Sequence, residues 1–266
     1  MRPILLRLRL DAVAFLAAAV LSLVTGCSVG DSAPSPPVPT DSGLRIAVPA
    51  YVNPPDSVFW QSLIEAVPEV QDVIVNPDSG PGSAVSESYV QVIGALRDAG
   101  IRVLGFVHTE YGARDPATVR GEIDRWKEWY GVDNIFLDEA PVVSRWIPTY
   151  ASYAAVVHDA GGVVVLNPGL IPDRGFFEFA DAIVTFEGPV GAYSKMKEPP
   201  KWVRSETRTE LWHIVHSAPE DRLGEVVNRA RQHGADKIYV TDDVEPNPYD
   251  RLPSYWSGKL AAVGPQ

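Results

Sequence analysis

The stretch Val132-Asp133-Asn134-Ile135-Phe136-Leu137-Asp138-Glu139-Ala140-Pro141 decides how this chain is read. An apolar run of strand length ends on two adjacent carboxylates, and a proline then stops it. Side chains alternate along a strand, so Phe136 and Asp138 share one face while Leu137 and Glu139 share the other. Glu139 reaches the opening that Asp138 faces only where strand has given way to loop. A carboxylate taken out of water must be paired, protonated or chemically employed. The same residues also suit a turn or helix cap after a strand, so the other strand ends have to decide between the two.

Working outward, further β-rich apolar runs occur at residues 44–49, 72–75, 101–107, 162–166, 182–186, 210–215 and 237–241, with 134–138 as the fourth of eight. Helical patterns separate them at 58–66, 86–99, 116–130, 148–160, 174–179 and 220–233, the last followed by Gly234. Asp115 before Pro116 is an N-cap with proline at the first helical position. Eight strands interleaved with helices, and no glycine-rich dinucleotide fingerprint, predict a single-domain (β/α)8 TIM-type barrel over residues 44–266. An irregular stretch is expected after the sixth strand, between Gly188 and Arg208.

Barrel enzymes build their sites at the C-terminal strand ends. Here the second strand ends in Asn76-Pro77, the third in His108-Thr109-Glu110-Tyr111-Gly112 and the fourth in Asp138-Glu139. The fifth gives Asn167-Pro168-Gly169, the sixth Glu187-Gly188-Pro189, the seventh His213 and His216, and the eighth Asp242-Asp243. The opposite ends carry far less of this chemistry. Acids on separate strands suit glycoside hydrolysis, in which one carboxyl protonates the leaving oxygen and another meets the cationic sugar carbon. Sugar rings stack on aromatic faces, for which Tyr51, Trp60, Tyr111, Trp146, Trp212, Tyr255 and Trp256 are available, though most tryptophans in such a fold are packing residues.

Metal hydrolysis and serine chemistry fit less well. His213 and His216 are three apart on a strand and face opposite ways, there is no His-x-His or cysteine cluster, and no Gly-x-Ser-x-Gly elbow occurs. No metal or cofactor is expected.

The N-terminus bears on compartment. Arg2, Arg7 and Arg9 precede an apolar run from Ala12 to Val24, short for a membrane span and of signal-peptide form, with Asp11 an awkward charge at its edge. The run ends Leu23-Val24-Thr25-Gly26-Cys27, which resembles the bacterial lipobox; Cys27 is the only cysteine in the chain. That resemblance implies a leader over residues 1–26, lipidation at Cys27, and an exported protein anchored on the extracytoplasmic face of a membrane. Residues 27–43, rich in proline and serine, read as a solvated tether. Removing the leader takes away three Arg and one Asp, moving the formal charge from −11 to −13. Nucleic acid is thereby an unfavourable partner, whereas neutral or cationic glycans remain compatible. A monomer is expected.

Five segments point further. Tyr51-Val52-Asn53-Pro54, Val75-Asn76-Pro77-Asp78-Ser79-Gly80-Pro81-Gly82, Val107-His108-Thr109-Glu110-Tyr111-Gly112, Ile135-Phe136-Leu137-Asp138-Glu139 and Thr185-Phe186-Glu187 resemble, in order, the signatures of the spherulin-4-like family. The resemblance implies a barrel glycoside hydrolase with relatives that cleave α-1,4-linked N-acetylgalactosamine within microbial exopolysaccharide. By position, its functional acids fall on Asp138, Glu139 and Glu187. Asp138 is assigned as nucleophile or cation stabiliser, Glu187 as general acid/base, and Glu139 as their orienting neighbour. His108, Tyr111, Asn76, Asn167, His213, Asp242 and Tyr51 are the expected substrate-binding residues. In an α-linked 2-acetamido sugar the acetamide lies on the leaving-group side, so a retaining reaction needs an enzyme carboxylate as nucleophile, with the two acids about 5 Å apart. The competing reading is an envelope lipoprotein that binds glycan on the same barrel without cutting it.

Overall fold

In the computed structural model, residues 43–264 are described, except Pro55, Glu206 and Thr207. The leader, Cys27 and all of the tether but Gly43 lie outside the described residues. Eight parallel strands pair in sequence order: β1 (Ile46–Ala50), β2 (Val70–Val75), β3 (Arg102–His108), β4 (Ile135–Asp138), β5 (Val164–Leu166), β6 (Ala182–Pro189), β7 (Glu210–His216) and β8 (Lys237–Val240). A parallel bridge between Arg45 and Lys237, with Arg45 N–H donating to Asp236 O and Ile238 N–H to Arg45 O, brings β8 back to the start of β1. The strands read as continuous apolar runs because both their faces are covered; every residue of β1, β5 and β8 is buried.

Helices α1 (Ser57–Ile64), α2 (Glu87–Asp98), α3 (Pro116–Tyr130), α4 (Ile147–Asp159), α5 (Val190–Tyr193), α6 (Lys201–Arg204), α7 (Leu223–Gln232) and α8 (Trp256–Val263) alternate with the strands. Asp115 caps α3 by accepting from Thr118 N–H at 2.9 Å. Gly105 admits that helix to the sheet, since a Cβ there would overlap the ring of Trp126, whose Nε1 donates to Phe106 O at 2.9 Å. The irregular stretch after β6 holds the two single-turn helices α5 and α6.

Two helical expectations need correction. Residues 174–179 form a 3-10 turn, Arg174–Glu178, in place of an α-helix. Helix α8 was not foreseen because its buried face carries Lys259 beside Val263, an arrangement that hides the apolar periodicity. Lys259 Nζ lies 3.5 Å from the centre of the Tyr239 ring, and burial holds this amine well below its ordinary range.

The N-terminal end of the barrel is also less plain than expected. Asp72, at zero exposure, bonds Arg102 and Lys237, and Lys237 Nζ lies 3.0 Å from Glu210. Burial works upward on the Glu210 carboxyl, but Lys237, the Trp212 N–H and Arg102 outweigh it and hold it below the usual range. Two acids and two bases thus balance inside the floor. Removing one member strands the others: Asp72→Asn should cost about 3–5 kcal/mol, read as a lower midpoint in urea unfolding, and an unchanged midpoint would mean that water solvates the cluster.

Candidate active site

At the opposite end the loops enclose a cleft of about 800 Å³ lined by Tyr51, Tyr111, Asp138, Glu139, Asn167, Glu187 and Tyr249, among others. Strand β4 delivers Asp138 on the face it shares with Phe136, which stacks on Phe106. Glu139 then adopts φ 50°, a left-handed conformation uncommon for a residue with a side chain. Its carbonyl accepts from Tyr111 N–H at 2.7 Å and from Thr109 Oγ1 at 3.0 Å, which holds the turn. The chain therefore reverses at once, and both carboxylates face one cleft. Tyr111 is itself left-handed, at φ 52°, and 62% exposed on the rim. Gly112 follows at φ 90° with the Trp146 ring 2.7 Å from where a Cβ would stand, so only glycine fits.

Glu187 is aimed by a break in pairing. Register shifts between Val184 and Phe186 of β6, Phe186 packs on Tyr193, and the next residue enters the cleft. A bulge redirects a side chain in this way.

Asn167, from the end of β5, joins the two acids. Its Oδ1 accepts from Gly169 N–H at 3.1 Å, which fixes the amide orientation. Nδ2 donates to Asp138 Oδ1 at 2.6 Å and also to Glu187 Oε2. Two acceptors on one nitrogen lie no more than about 5 Å apart. The second Glu187 oxygen accepts from the hydroxyl of Tyr249. Burial, then the Glu187 charge, pushes Asp138 up to about 7, against the pull of the Asn167 and Glu139 N–H donors. Burial and the Asp138 and Glu187 charges likewise raise Tyr51, which remains a neutral phenol. At neutral pH the Asp138 carboxyl is thus about half protonated.

Several expected substrate contacts are placed elsewhere. His213 points away from the cleft: it is 1% exposed, 2.7 Å from Tyr193 Oη and packed against His233, and burial lowers it to about 3. Alternation along β7 sends His216 the other way, and its Nε2 lies 3.5 Å from cleft-lining Glu245. Asn76 accepts from Gly80 N–H at 2.9 Å and shapes its own loop. Asp242 accepts from Arg251 and from Ser254 N–H, tying down the β8–α8 loop. His108 is outside the lining, 3.4 Å from Glu110. Trp60 and Trp212 are buried packing residues.

Sequence reasoning missed the wall Glu245-Pro246-Asn247-Pro248-Tyr249. A signal was present: the segment between β8 and α8 is long for a barrel loop and holds three prolines beside polar residues, which marks functional loops.

The fold and its cleft define a class, the (β/α)8 barrels with a carboxylate pair at the mouth. Within that class this chain belongs to spherulation-specific family 4, whose model matches residues 45–263. Spherulin-4 of Physarum polycephalum is 32% identical over 237 residues, covering 83% of this chain and 70% of that protein. The crystal structure of Aspergillus clavatus Sph3 in complex with GalNAc is similar at a TM-score of 0.71 and 28% identity, over 83% of this chain and 97% of that one. ICChI chitinase from Ipomoea carnea shares the fold at a TM-score of 0.51 and 12% identity, over 81% and 98%.

The raised Asp138 has a consequence for stability. Its folded-state value of about 7 exceeds that of an unfolded Asp, so its contribution is full at low pH and is lost as pH rises through 7. Asp138→Asn should therefore raise the melting temperature relative to the parent more at pH 8 than at pH 5. Equal shifts at both pH values would show that the carboxyl is ionised throughout.

Proposed function

We propose that this chain is an exported glycoside hydrolase that cuts α-1,4-linked N-acetylgalactosamine-containing polysaccharide within the chain and with retention. The observation that carries this reading is the Asp138–Asn167–Glu187 bridge in the cleft, which holds two carboxyls at the close spacing of retaining glycosidases. The GalNAc held by the related Sph3 supports an amino-sugar substrate, and the cleft volume suits a few sugar units. Tyr111 on the rim and Tyr51 within offer ring faces or hydroxyls to sugars.

We assign Asp138, whose carboxyl is raised to about 7, as the donor to the leaving oxygen, while Glu187, whose oxygens both accept hydrogen bonds, meets the cationic carbon. This reverses the division expected from position in the sequence. In the second half of the reaction Asp138, now ionised, takes a proton from the incoming water. Glu139 borders the same cleft and adds to its negative potential.

The test is reducing-end release from purified N-acetylgalactosamine-rich exopolysaccharide by residues 28–266. Asp138→Asn and Glu187→Gln should each abolish release by about 10²-fold or more while folding is retained. In the parent, activity should fall as pH rises through about 7, when Asp138 loses its proton. Saturable binding without release would replace the hydrolase with a glycan-binding lipoprotein, and neither would overturn both.

Membrane anchoring through Cys27 is part of the same proposal and rests on the lipobox alone. Metabolic labelling with a fatty acid should mark the full chain in a bacterial host and be lost in Cys27→Ala. Label retained in that variant would remove the anchor.

A further inference from the structure

We propose that Tyr249 is the positioning residue of the carboxylate pair: its hydroxyl, brought over the barrel mouth by the β8–α8 loop, fixes one oxygen of Glu187 while Asn167 fixes the other. This rests on the hydrolase reading above and extends it to a residue 62 positions away in sequence.

The phenol is itself held at several points. Its backbone carbonyl accepts from Tyr51 N–H at 3.1 Å, at the end of β1, and its backbone N–H donates to Asn247 Oδ1 at 3.2 Å. The ring lies edge-on to Tyr51, with centroids 5.4 Å apart, and reaches Tyr239 at 6.1 Å. Tyr249 is 6% exposed, so the hydroxyl has little water to turn to. Behind it, Asp242 and Asp243 grip Arg251 at 3.0 and 3.2 Å, so the loop is tied at its root as well as its tip. Burial, together with the Glu187 charge, drives the phenol far above its ordinary value, and Tyr249 acts only as a donor.

A donor on each oxygen of Glu187 does two things. It fixes the plane of the carboxyl, so that the group cannot swing away from the anomeric carbon, and it directs two hydrogen-bond dipoles at the oxygens that must meet a cation. Asp138 takes Asn167 and the Glu139 backbone N–H instead, with no second side-chain donor. Tyr249 thus gives Glu187 a side-chain hold that Asp138 lacks. Around Glu187 stand Asp138 from β4, Asn167 from the end of β5, Tyr51 from the end of β1, Tyr111 from the β3 loop and Tyr249 itself, with the carboxylates of Glu139 and Glu245 lining the same cleft. No lysine, arginine or histidine lines the cleft among the described residues, so hydrogen-bond donors carry this task.

Tyr249→Phe is the deciding variant because it keeps the ring contacts and removes only the hydroxyl. The kcat should fall on the order of 10-fold to 100-fold, as for other outer partners of a reacting group, with KM nearly unchanged. The acid limb of kcat/KM should move to higher pH, since a carboxylate that loses a donor binds its proton more tightly. A role in packing alone would move neither the limb nor kcat in the Phe variant, and that result overturns the proposal. A second arm does not depend on turnover. Carboxyl 13C titration of the pair, assigned with Glu187→Gln, should shift upward in Tyr249→Phe. If the parent cleaves no glycan but the titration shifts, the hydrolase reading fails and the clamp stands; if the parent cleaves and the titration does not move, the clamp fails alone.

Discussion

Two carboxyls brought out of water within about 5 Å of each other cannot both stay charged without help, and much of the barrel mouth follows from that constraint. Asn167 supplies the help with a single nitrogen, which bonds both acids while its oxygen is pinned by Gly169 N–H. The arrangement works only if β4, β5 and β6 are adjacent and in fixed register, which the parallel ladder provides. It also needs Glu187 to leave its strand on the inner side, which the register shift near Val184 achieves. One hydrogen-bonding residue is therefore served by three strands and a bulge.

The two ends of the barrel handle charge in opposite ways. At the floor, Asp72 and Glu210 meet Arg102 and Lys237, equal numbers of each sign. At the mouth, Asp138, Glu139, Glu187 and Glu245 line one cleft with no base among the described lining residues. The floor is a closed network whose members satisfy one another. The mouth has no basic residue among its described lining, and burial together with the Glu187 charge raises the Asp138 carboxyl there. Charge balance at one end and its absence at the other is the pattern expected where stability and chemistry occupy opposite barrel faces.

The strands were legible because both faces of a parallel barrel strand are buried, so each reads as an unbroken apolar run regardless of its place in the barrel. Asp138, Glu139, Asn167 and Glu187 were legible because they directly follow such runs. The histidines were not distinguished: His213 and His216 sit on one strand, and only the pairing register says which faces the helices and which lies toward Glu245. Asn76 and Asp242 have the chemistry of ligands but spend it on backbone N–H groups of their own loops, a use that residue type alone cannot reveal. The length and prolines of its loop mark the segment holding Tyr249 as functional, but the residue itself follows no strand end closely, and chain proximity gives no hint of the partner 62 residues away.

The strained turn at Glu139 belongs to the same logic. A non-glycine residue at φ 50° is an expensive way to end a strand, and an ordinary continuation would carry Glu139 to the outer face, where Leu137 is buried. Placing a second charge there would require a partner in the apolar layer between sheet and helices. Reversal at Glu139 avoids that burial and adds a carboxylate to the cleft, and the bonds from Thr109 and Tyr111 hold the backbone in place. Those same bonds set Tyr111 at the rim in its own left-handed conformation, so one pair of loops positions an acid and an exposed ring together. The charge of an acid at that position acts on Asp138: after burial and Glu187, Glu139 is among the causes that raise the Asp138 carboxyl. Adjacent carboxylates in the sequence thus come to face one cleft, each within the other's field, once the strand ends between them.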